Sequence, residues 1–406
     1  MVELKNSLYN TAAPSTQSIH GDDHLHATSE VSTPISVSTT FAYNKKEITA
    51  NNYGLDQRYI YSRSGTPILT KVEATLSTLS EGYAVIYGSG LTAAFSVLVE
   101  QRPKKIALGS GYFGIKNVIE QYQRLVPNVQ VVGLDCSYND VDIVWLESPI
   151  NPTGEVRDIS SYALRAHAAG ALLVVDATLA PPPLSYPFRQ GADIVVHSAT
   201  KFLGGHSDLL AGVVVSRAPK SAESMRVARS VLGTGPGSLD AWLLLRSLRT
   251  LSVRVQNQSQ TATRLVAFLE SHRRLAVVSA CHSPSVQELA IGRRITAVRH
   301  ASLQLSTTHC SFIETQHPNG YAPVFSIRFA TKDQALFVAR HLQLHTFATS
   351  LGSVESLVDW RHGIDSKEDP GLLRISVGLE NFDDLANDWS KTLLALDAHE
   401  KGSAKL

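Results

Sequence analysis

This chain is poor in cysteine, almost without net charge, and free of long apolar runs. Cys136, Cys281 and Cys310 are the cysteines of its 406 residues. Their number is odd and their spacing fits no metal-ligand motif. Reduced thiols in an intracellular protein are therefore expected, rather than a disulfide framework or a zinc site. The formal net charge of +1 excludes the basic footprint that nucleic acid or an anionic membrane surface requires. No apolar stretch approaches the roughly 20 residues of a membrane-spanning helix, and the N-terminus lacks the charged-then-apolar order of a secretory signal. Internal repeats and low-complexity blocks are also missing. What is there is 43% hydrophobic and 18% charged sequence. That composition and length suit a large core and two domains.

Residues from Met1 to about Glu30 are polar and aperiodic, and read as an arm that no helix or strand organises. His20, Asp22, Asp23, His24 and His26 fall within it, but nothing there aligns them for a metal, and none is expected. Thr66-Pro67 signals a helix start, a capping threonine before a proline at the first helical position. Leu69, Val72, Leu76 and Leu79 follow at helical spacing, and Gly82 is expected to end the helix. Short apolar runs then recur at Ala84–Tyr87, Lys105–Leu108, Val129–Leu134, Ile143–Leu146, Leu172–Val175, Ile194–Val196 and Ala211–Val215. Helical stretches such as Ile115–Arg124 and Ser160–Ala169 separate several of them. The alternation predicts an α/β fold, a mostly parallel sheet with helices on both faces. A long helical pattern from Ser238 to about Glu270 leads into a smaller C-terminal α/β domain. There Val324–Phe329 reads as a strand, and Lys332–His341 and Asp383–Leu396 as helices. The expected division is an arm at 1–50, a large domain at 51–250 and a small domain at 251–406.

The chemistry concentrates just after these runs. Ile194-Val-Val-His-Ser198-Ala-Thr200 leads directly into Lys201, with Gly204 and Gly205 beyond. A lysine at the end of a buried strand is costly unless it has chemical work, and alone it reads as readily as a snorkelling surface lysine. A Schiff base with pyridoxal phosphate (PLP) is one such use. Ser198 and Thr200 can donate hydrogen bonds to a phosphate. Leu172-Leu-Val-Val-Asp176-Ala-Thr178 ends an apolar strand in a carboxylate, the acid partner that a protonated pyridine nitrogen needs. Tyr87-Gly-Ser89-Gly90-Leu91 places a glycine turn before a helix, whose first N–H groups can hold phosphate oxygens.

These segments resemble the PLP-dependent enzymes of cysteine and methionine metabolism. That family includes the cystathionine lyases, cystathionine γ-synthases, methionine γ-lyases and O-acetylhomoserine sulfhydrylases. Asp176-Ala-Thr178, Ser198-Ala-Thr200-Lys201 and Gly205-His-Ser-Asp208 carry the resemblance. It runs from Pro34-Ile-Ser-Val-Ser-Thr-Thr-Phe41 to Leu373-Arg374-Ile-Ser-Val-Gly-Leu-Glu380. It implies the aspartate-aminotransferase-like fold of PLP enzymes (fold type I) and a catalytic set of Lys201, Tyr112 and Asp176. Gly90 and Leu91 take the family's phosphate-turn positions, beside Ser89. Tyr61-Ser-Arg63 resembles a segment that reaches a neighbouring subunit's phosphate, with Ser62 and Thr66 departing from the usual glycine and asparagine. Arginine's fork suits that contact.

Tyr112 in Gly111-Tyr-Phe-Gly114 matches the tyrosine over the PLP ring. Asn151 in Glu147-Ser-Pro149-Ile-Asn151-Pro152 matches an asparagine that serves both cofactor and substrate, and Pro149 and Pro152 fix its loop. Arg374 matches the arginine that clamps a substrate α-carboxylate. Tyr61, Asn151, Thr349 and Ser350 complete the implied substrate set. Thr349 stands where γ-lyases and γ-synthases commonly place a glutamate. Asp359-Trp360-Arg361 follows that segment and is expected at the site's entrance. The stretch between Tyr112 and Glu147 is shorter than the family's.

The expected activity is cleavage of a C–S bond in cystathionine or a related sulfur amino acid, by β- or γ-elimination. γ-Substitution on an activated homoserine by a thiol or carbon nucleophile is the alternative, and a catalytically silent homologue is the alternative of another class. The expected partners are a small amino acid, PLP, and further copies of the chain in a dimer with shared sites, assembled into a homotetramer. Ala404-Lys405-Leu406 resembles the Ser-Lys-Leu address, so the expected location is cytoplasmic or peroxisomal.

Overall fold

The seven apolar runs form one sheet whose strands are mostly buried on both faces, apart from the edge strand Gln130–Gly133, which is largely exposed. The computed structural model describes residues 9, 11–25, 29–42, 59–277, 285–305 and 311–403. Cys281, Cys310, His26 and the Ala404-Lys405-Leu406 tail lie outside them; Cys136 is a free thiol. The strands are β1 (Tyr83–Tyr87), β2 (Lys105–Leu108), β3 (Gln130–Gly133), β4 (Ile143–Glu147), β5 (Leu172–Asp176), β6 (Ile194–Ser198) and β7 (Gly212–Ser216). They lie in the order β1-β7-β6-β5-β4-β2-β3. β2 runs parallel to β3 and β4, and β5 to β6, so the sheet is mostly parallel as the alternation predicts. β7 is antiparallel to both β1 and β6. β1 and β6 therefore point the same way, and their carboxyl ends share one edge.

The chain divides into two units. The first comprises Met1–Gly109, Gly114–Leu146 and Ile159–Ser252, and the second comprises Ser110–Phe113, Glu147–Asp158 and Val253–Leu406. Two short segments expected in the large domain thus group with the C-terminal one. In the first unit the helix Pro67–Ser80 starts as its sequence predicts: the Thr66 side chain accepts from the Leu69 amide at 3.2 Å. Its end differs. The left-handed turn is made by Glu81 at φ 58°, not by Gly82. Gly82 is small for another reason: a Cβ there would lie 2.5 Å from Phe188 Cε2.

The N-terminal segment also departs from the expected arm. Pro14–His20 is a helix and Asp23–Leu25 a 3-10 turn, and the former packs on the helix Pro67–Ser80. The charged groups there pair off. His20 Nδ1 lies 2.8 Å from Asp23 Oδ2, and Arg249 Nη1 lies 2.7 Å from the fully buried Asp22.

Behind β1 a buried ionic cluster ties three elements together. Glu73 Oε2 accepts from Arg226 Nε at 2.9 Å, while Oε1 accepts from Arg229 and from the Ile86 amide at 3.2 Å. Arg229 Nη1 also donates to the Ile86 carbonyl at 3.0 Å. Burial opposes the charge of Glu73, yet the two arginines and the amide outweigh it and hold its pKa below the ordinary value.

The second unit is built on β8 (Ile295–Arg299), β9 (Val324–Phe329), β10 (His345–Phe347), β11 (Ser356–Asp359) and β12 (Leu372–Ser376). Their order is β10-β11-β12-β9-β8. Phe325, Ile327 and Phe329 from β9 and Leu373 and Ile375 from β12 form its core. Leu265 and Leu269 of the helix Leu251–Val277 and Trp389 and Leu393 of the helix Phe382–Ser403 complete it. No helix among the described residues is long and apolar enough to cross a membrane.

Removing one partner of a buried ion pair leaves the other charge uncompensated. Glu73→Ala is expected to lower unfolding free energy by about 3–5 kcal/mol in a urea titration. The stabilisation that Glu73 gives is complete above its unfolded pKa of about 4.3 and fades as pH falls through its lower folded value. The gap between wild type and Glu73→Ala should therefore narrow on acidification, and a gap unchanged down to pH 2 would contradict this account.

Candidate active site

The first unit gathers one half of the candidate residues on the sheet edge just described. Asp176 ends β5, Ser198 ends β6, and Gly88-Ser89-Gly90 follow β1. The register fixes their approach, because Gly212 of β7 is paired with both Tyr87 and Ser198. A Cβ on Gly212 would strike the Ser89 carbonyl, and one on Gly90 would lie 2.8 Å from Ser198 Cβ. Both positions need glycine for close approach. Gly90 also opens the helix Gly90–Gln101, which Ser89 caps by accepting from the Thr92 amide at 3.1 Å. This helix start lies against Ser198, and the first amides of a helix can hold an anion. Leu91 in that first turn is exposed.

Thr178 connects the two strand ends. Its hydroxyl donates to Asp176 Oδ1 at 2.6 Å, its amide donates to the same oxygen at 3.0 Å, and its oxygen accepts from the Ser198 amide at 2.9 Å. Asp176 is buried. Burial raises its pKa, and the two Thr178 bonds offset this only in part. A buried carboxylate wired this way favours a cationic partner. Lys201 is half-buried in the turn after β6, its amide donating to the Ser198 carbonyl at 3.1 Å and its carbonyl accepting from Gly205 at 2.7 Å. The Thr200 hydroxyl donates to the Ala211 carbonyl at 3.3 Å and accepts from the Ala211 amide at 3.1 Å. Tyr61 and Arg63 lie on the surface. Arg63 Nη1 donates to the Ser230 carbonyl at 2.6 Å, and its guanidinium lies 5.7 Å from the Tyr61 ring centre. His197, inside β6, was missed as a separate feature. It is fully buried, its Nδ1 lacks a partner among the described residues, and burial pushes its pKa down to about 4.

The second unit gathers the other half around Arg374 on β12. Its Nη1 donates to Asn151 Oδ1 at 3.1 Å, and its Nη2 donates to the Ser350 carbonyl at 2.6 Å and to Asp359 Oδ2 at 2.8 Å. Asp359 lies directly across the β11–β12 ladder from Arg374. Burial lowers the Arg374 pKa to about 10, so it stays cationic at neutral pH. Ser350 holds φ at 81°, a left-handed conformation uncommon outside glycine and asparagine, which aims its carbonyl at Arg374. Thr349 beside it is exposed. Glu147 organises the other loops: Oε2 accepts from the Tyr112 amide at 2.7 Å and Oε1 from the Asn151 amide at 2.6 Å. Ser148-Pro149 and Asn151-Pro152 are cis. One expectation is overturned. Asp359 and Arg361 do not line an entrance but are buried, at 4% and 5% exposure. Asp359 is drawn inward by its strand partner Arg374, and Arg361 by Asp359, whose Oδ2 accepts from Arg361 Nη1 at 3.2 Å.

Comparison with known proteins places this arrangement. The profile of the Cys/Met metabolism PLP-dependent enzymes matches residues 15–394. The chain belongs to this family. It is 32% identical to a cystathionine gamma-lyase of Saccharomyces cerevisiae, over 93% of this chain and 96% of that protein. A cystathionine gamma-synthase of Mycobacterium tuberculosis is 29% identical over 97% of this chain and all of the relative. The crystal structure of yeast cystathionine gamma-lyase superimposes with a TM-score of 0.82 at 28% identity, covering 97% of this chain and 100% of that one. The family's cofactor is PLP, and the first unit's residues fit it: a buried carboxylate, a capped helix start that only glycine permits, and a lysine following the adjacent strand.

Gly90→Ala tests that fit. The added methyl meets Ser198 Cβ and Cα at 2.8 and 3.0 Å. The variant should fold yet lose PLP on gel filtration, with at least a tenfold weaker affinity in titration with free PLP. Retention equal to wild type would remove this turn from the phosphate cradle.

Proposed function

We propose that this enzyme cleaves a C–S bond of cystathionine or a related sulfur amino acid, with PLP held by Lys201. The observation that supports it most is the hydrogen-bonded line Asp176–Thr178–Ser198 at the sheet edge from which Lys201 follows. PLP, when bound, supplies an electron sink for charge developing at the substrate's Cα. Asp176 would keep the pyridine nitrogen protonated, and its burial would strengthen that ionic contact. Ser89, Gly90, Leu91, Ser198 and Thr200 are assigned to the phosphate, with Thr200 exchanging its Ala211 contact. Tyr112 is assigned to the ring, which its aromatic face would stack on. Arg374 holds the α-carboxylate and orients the Cα–H bond, and Asn151 steadies that arginine. Lys201 removes the Cα proton. For a γ-leaving group it must also take a proton from Cβ. Tyr112 is assigned the return of a proton to the leaving sulfur. Thr349 and Ser350 border the substrate's distal end.

γ-Substitution on an activated homoserine is the second reading, favoured by the similarity to a cystathionine gamma-synthase. Product analysis decides between them. From L-cystathionine, pyruvate with homocysteine marks β-elimination, and 2-oxobutyrate with cysteine marks γ-elimination. A thioether formed from O-acetylhomoserine and a thiol marks substitution. None of these products from PLP-loaded protein would sink the proposal.

Asp176→Asn should keep the fold and cut turnover by roughly three orders of magnitude, since the variant offers the ring nitrogen no charge. Near-normal turnover would mean that Asp176 has another task. The exposed Tyr61 and Arg63 are assigned to the phosphate of a second copy, which makes the active unit a dimer, paired further into a homotetramer. Mixing inactive Arg63→Ala and Lys201→Ala subunits should then restore activity, up to about a quarter of wild type by random pairing of shared sites. No recovery despite demonstrated subunit exchange would refute shared sites.

A further inference from the structure

Asp359 serves two guanidiniums through one oxygen. Its Oδ2 accepts from Arg374 Nη2 at 2.8 Å and from Arg361 Nη1 at 3.2 Å. The side chains of all three are nearly sealed from solvent, at 4% for Arg374 and 6% each for Asp359 and Arg361. Alone, Arg374 and Asp359 would be a closed, neutral, buried pair. Such a pair has little reason to accept another carboxylate, because the entering charge would remain uncompensated in a poorly hydrated place. Arg361 changes this balance. Two guanidiniums and one carboxylate leave one positive charge in excess. Among the described residues, the Nε atoms of both Arg361 and Arg374 are buried without a partner, so each arginine retains unused donor capacity. Arg361 is also fixed from another side, its guanidinium 5.7 Å from the Phe113 ring centre. The remaining carboxylate that bears on Arg374 is Glu368, half-buried and weaker in effect than Asp359.

We propose that Arg361 is a positioning residue for the substrate α-carboxylate: it shares Asp359 so that Arg374 keeps a positive charge to offer. The proposal rests on the assignment of Arg374 to that carboxylate. It identifies the recognised ligand as a monoanionic group balanced by the whole three-residue cluster, and it makes Arg361 a determinant of substrate affinity without contact to the reacting bond.

The test uses PLP-loaded enzyme with L-cystathionine for kinetics and glycine as a non-eliminating probe, its binding followed by the change in cofactor absorbance. Arg361→Gln should raise KM and weaken glycine binding by about tenfold or more, with kcat changed less than about threefold. Arg361→Lys, which keeps the charge, should stay within a few-fold of wild type. The deciding variant is Asp359→Asn with Arg361→Gln. It again leaves Arg374 as the single excess charge, and should recover most of the affinity that Arg361→Gln loses. Loss in all three variants alike would show a packing role and overturn the proposal, as would an unaffected Arg361→Gln. Arg374→Ala separates the two levels. If it loses glycine binding while Arg361→Gln does not, only the Arg361 proposal falls. If neither loses binding, the carboxylate assignment itself falls and the proposal with it.

Discussion

The cost of taking charge out of water governs both units of this protein. Glu73, Asp176 and Arg374 are all buried, but their surroundings treat the charge differently. Glu73 is met by two arginines and a backbone amide, and its pKa falls. Asp176 is met by one hydroxyl and one amide, both neutral, and its pKa rises. Neutral donors soften desolvation without cancelling it. With Glu223, which accepts from Arg226 Nη1 at 3.4 Å, two carboxylates balance two guanidiniums, and the Glu73 cluster is a closed electrostatic unit that fixes a helix against β1. Asp176 is held in place by Thr178 yet left in need of a cation. The same fold therefore holds one carboxylate that is finished by its own chain and one that a bound ring can finish.

Much of this was legible in the residues. Seven apolar runs mapped onto seven strands because each combines β-branched content with a short length and polar or glycine-rich flanks. Asp176 and Lys201 stood out because a charged group directly after a buried run is expensive. The misread parts have a common cause. Helix termination at Glu81 depends on a left-handed backbone that a glutamate can adopt, and Gly82 is held small by Phe188 rather than by its own φ. The helix Pro14–His20 lacks a clean apolar stripe, yet it gains a surface to pack on in the helix Pro67–Ser80. Asp359 and Arg361 read as entrance residues because charge usually means solvent. Only the pairing of β11 with β12 sets Asp359 opposite Arg374, and no local spacing encodes that register.

The division into units also depends on a contact that sequence order hides. Ser110–Phe113 and Glu147–Asp158 lie amid the first unit's strands in the chain, but they belong to the second unit. Glu147 explains how they cohere. Its two oxygens accept the amides of Tyr112 and Asn151, so one carboxylate sets the backbone of both loops. Gly111 is required beside it, because a Cβ there would strike that same carboxylate. Arg157 reinforces the join by donating to the Ser110 carbonyl at 3.2 Å and the Glu147 carbonyl at 3.0 Å. The loop that carries Tyr112 therefore takes its geometry from Glu147 rather than from its own helix. Asn151 in turn passes that geometry to Arg374 through a side-chain hydrogen bond. The placement of the second unit's site residues thus starts from the Glu147 carboxylate. It works by supplying two fixed acceptors to amides that would otherwise need water.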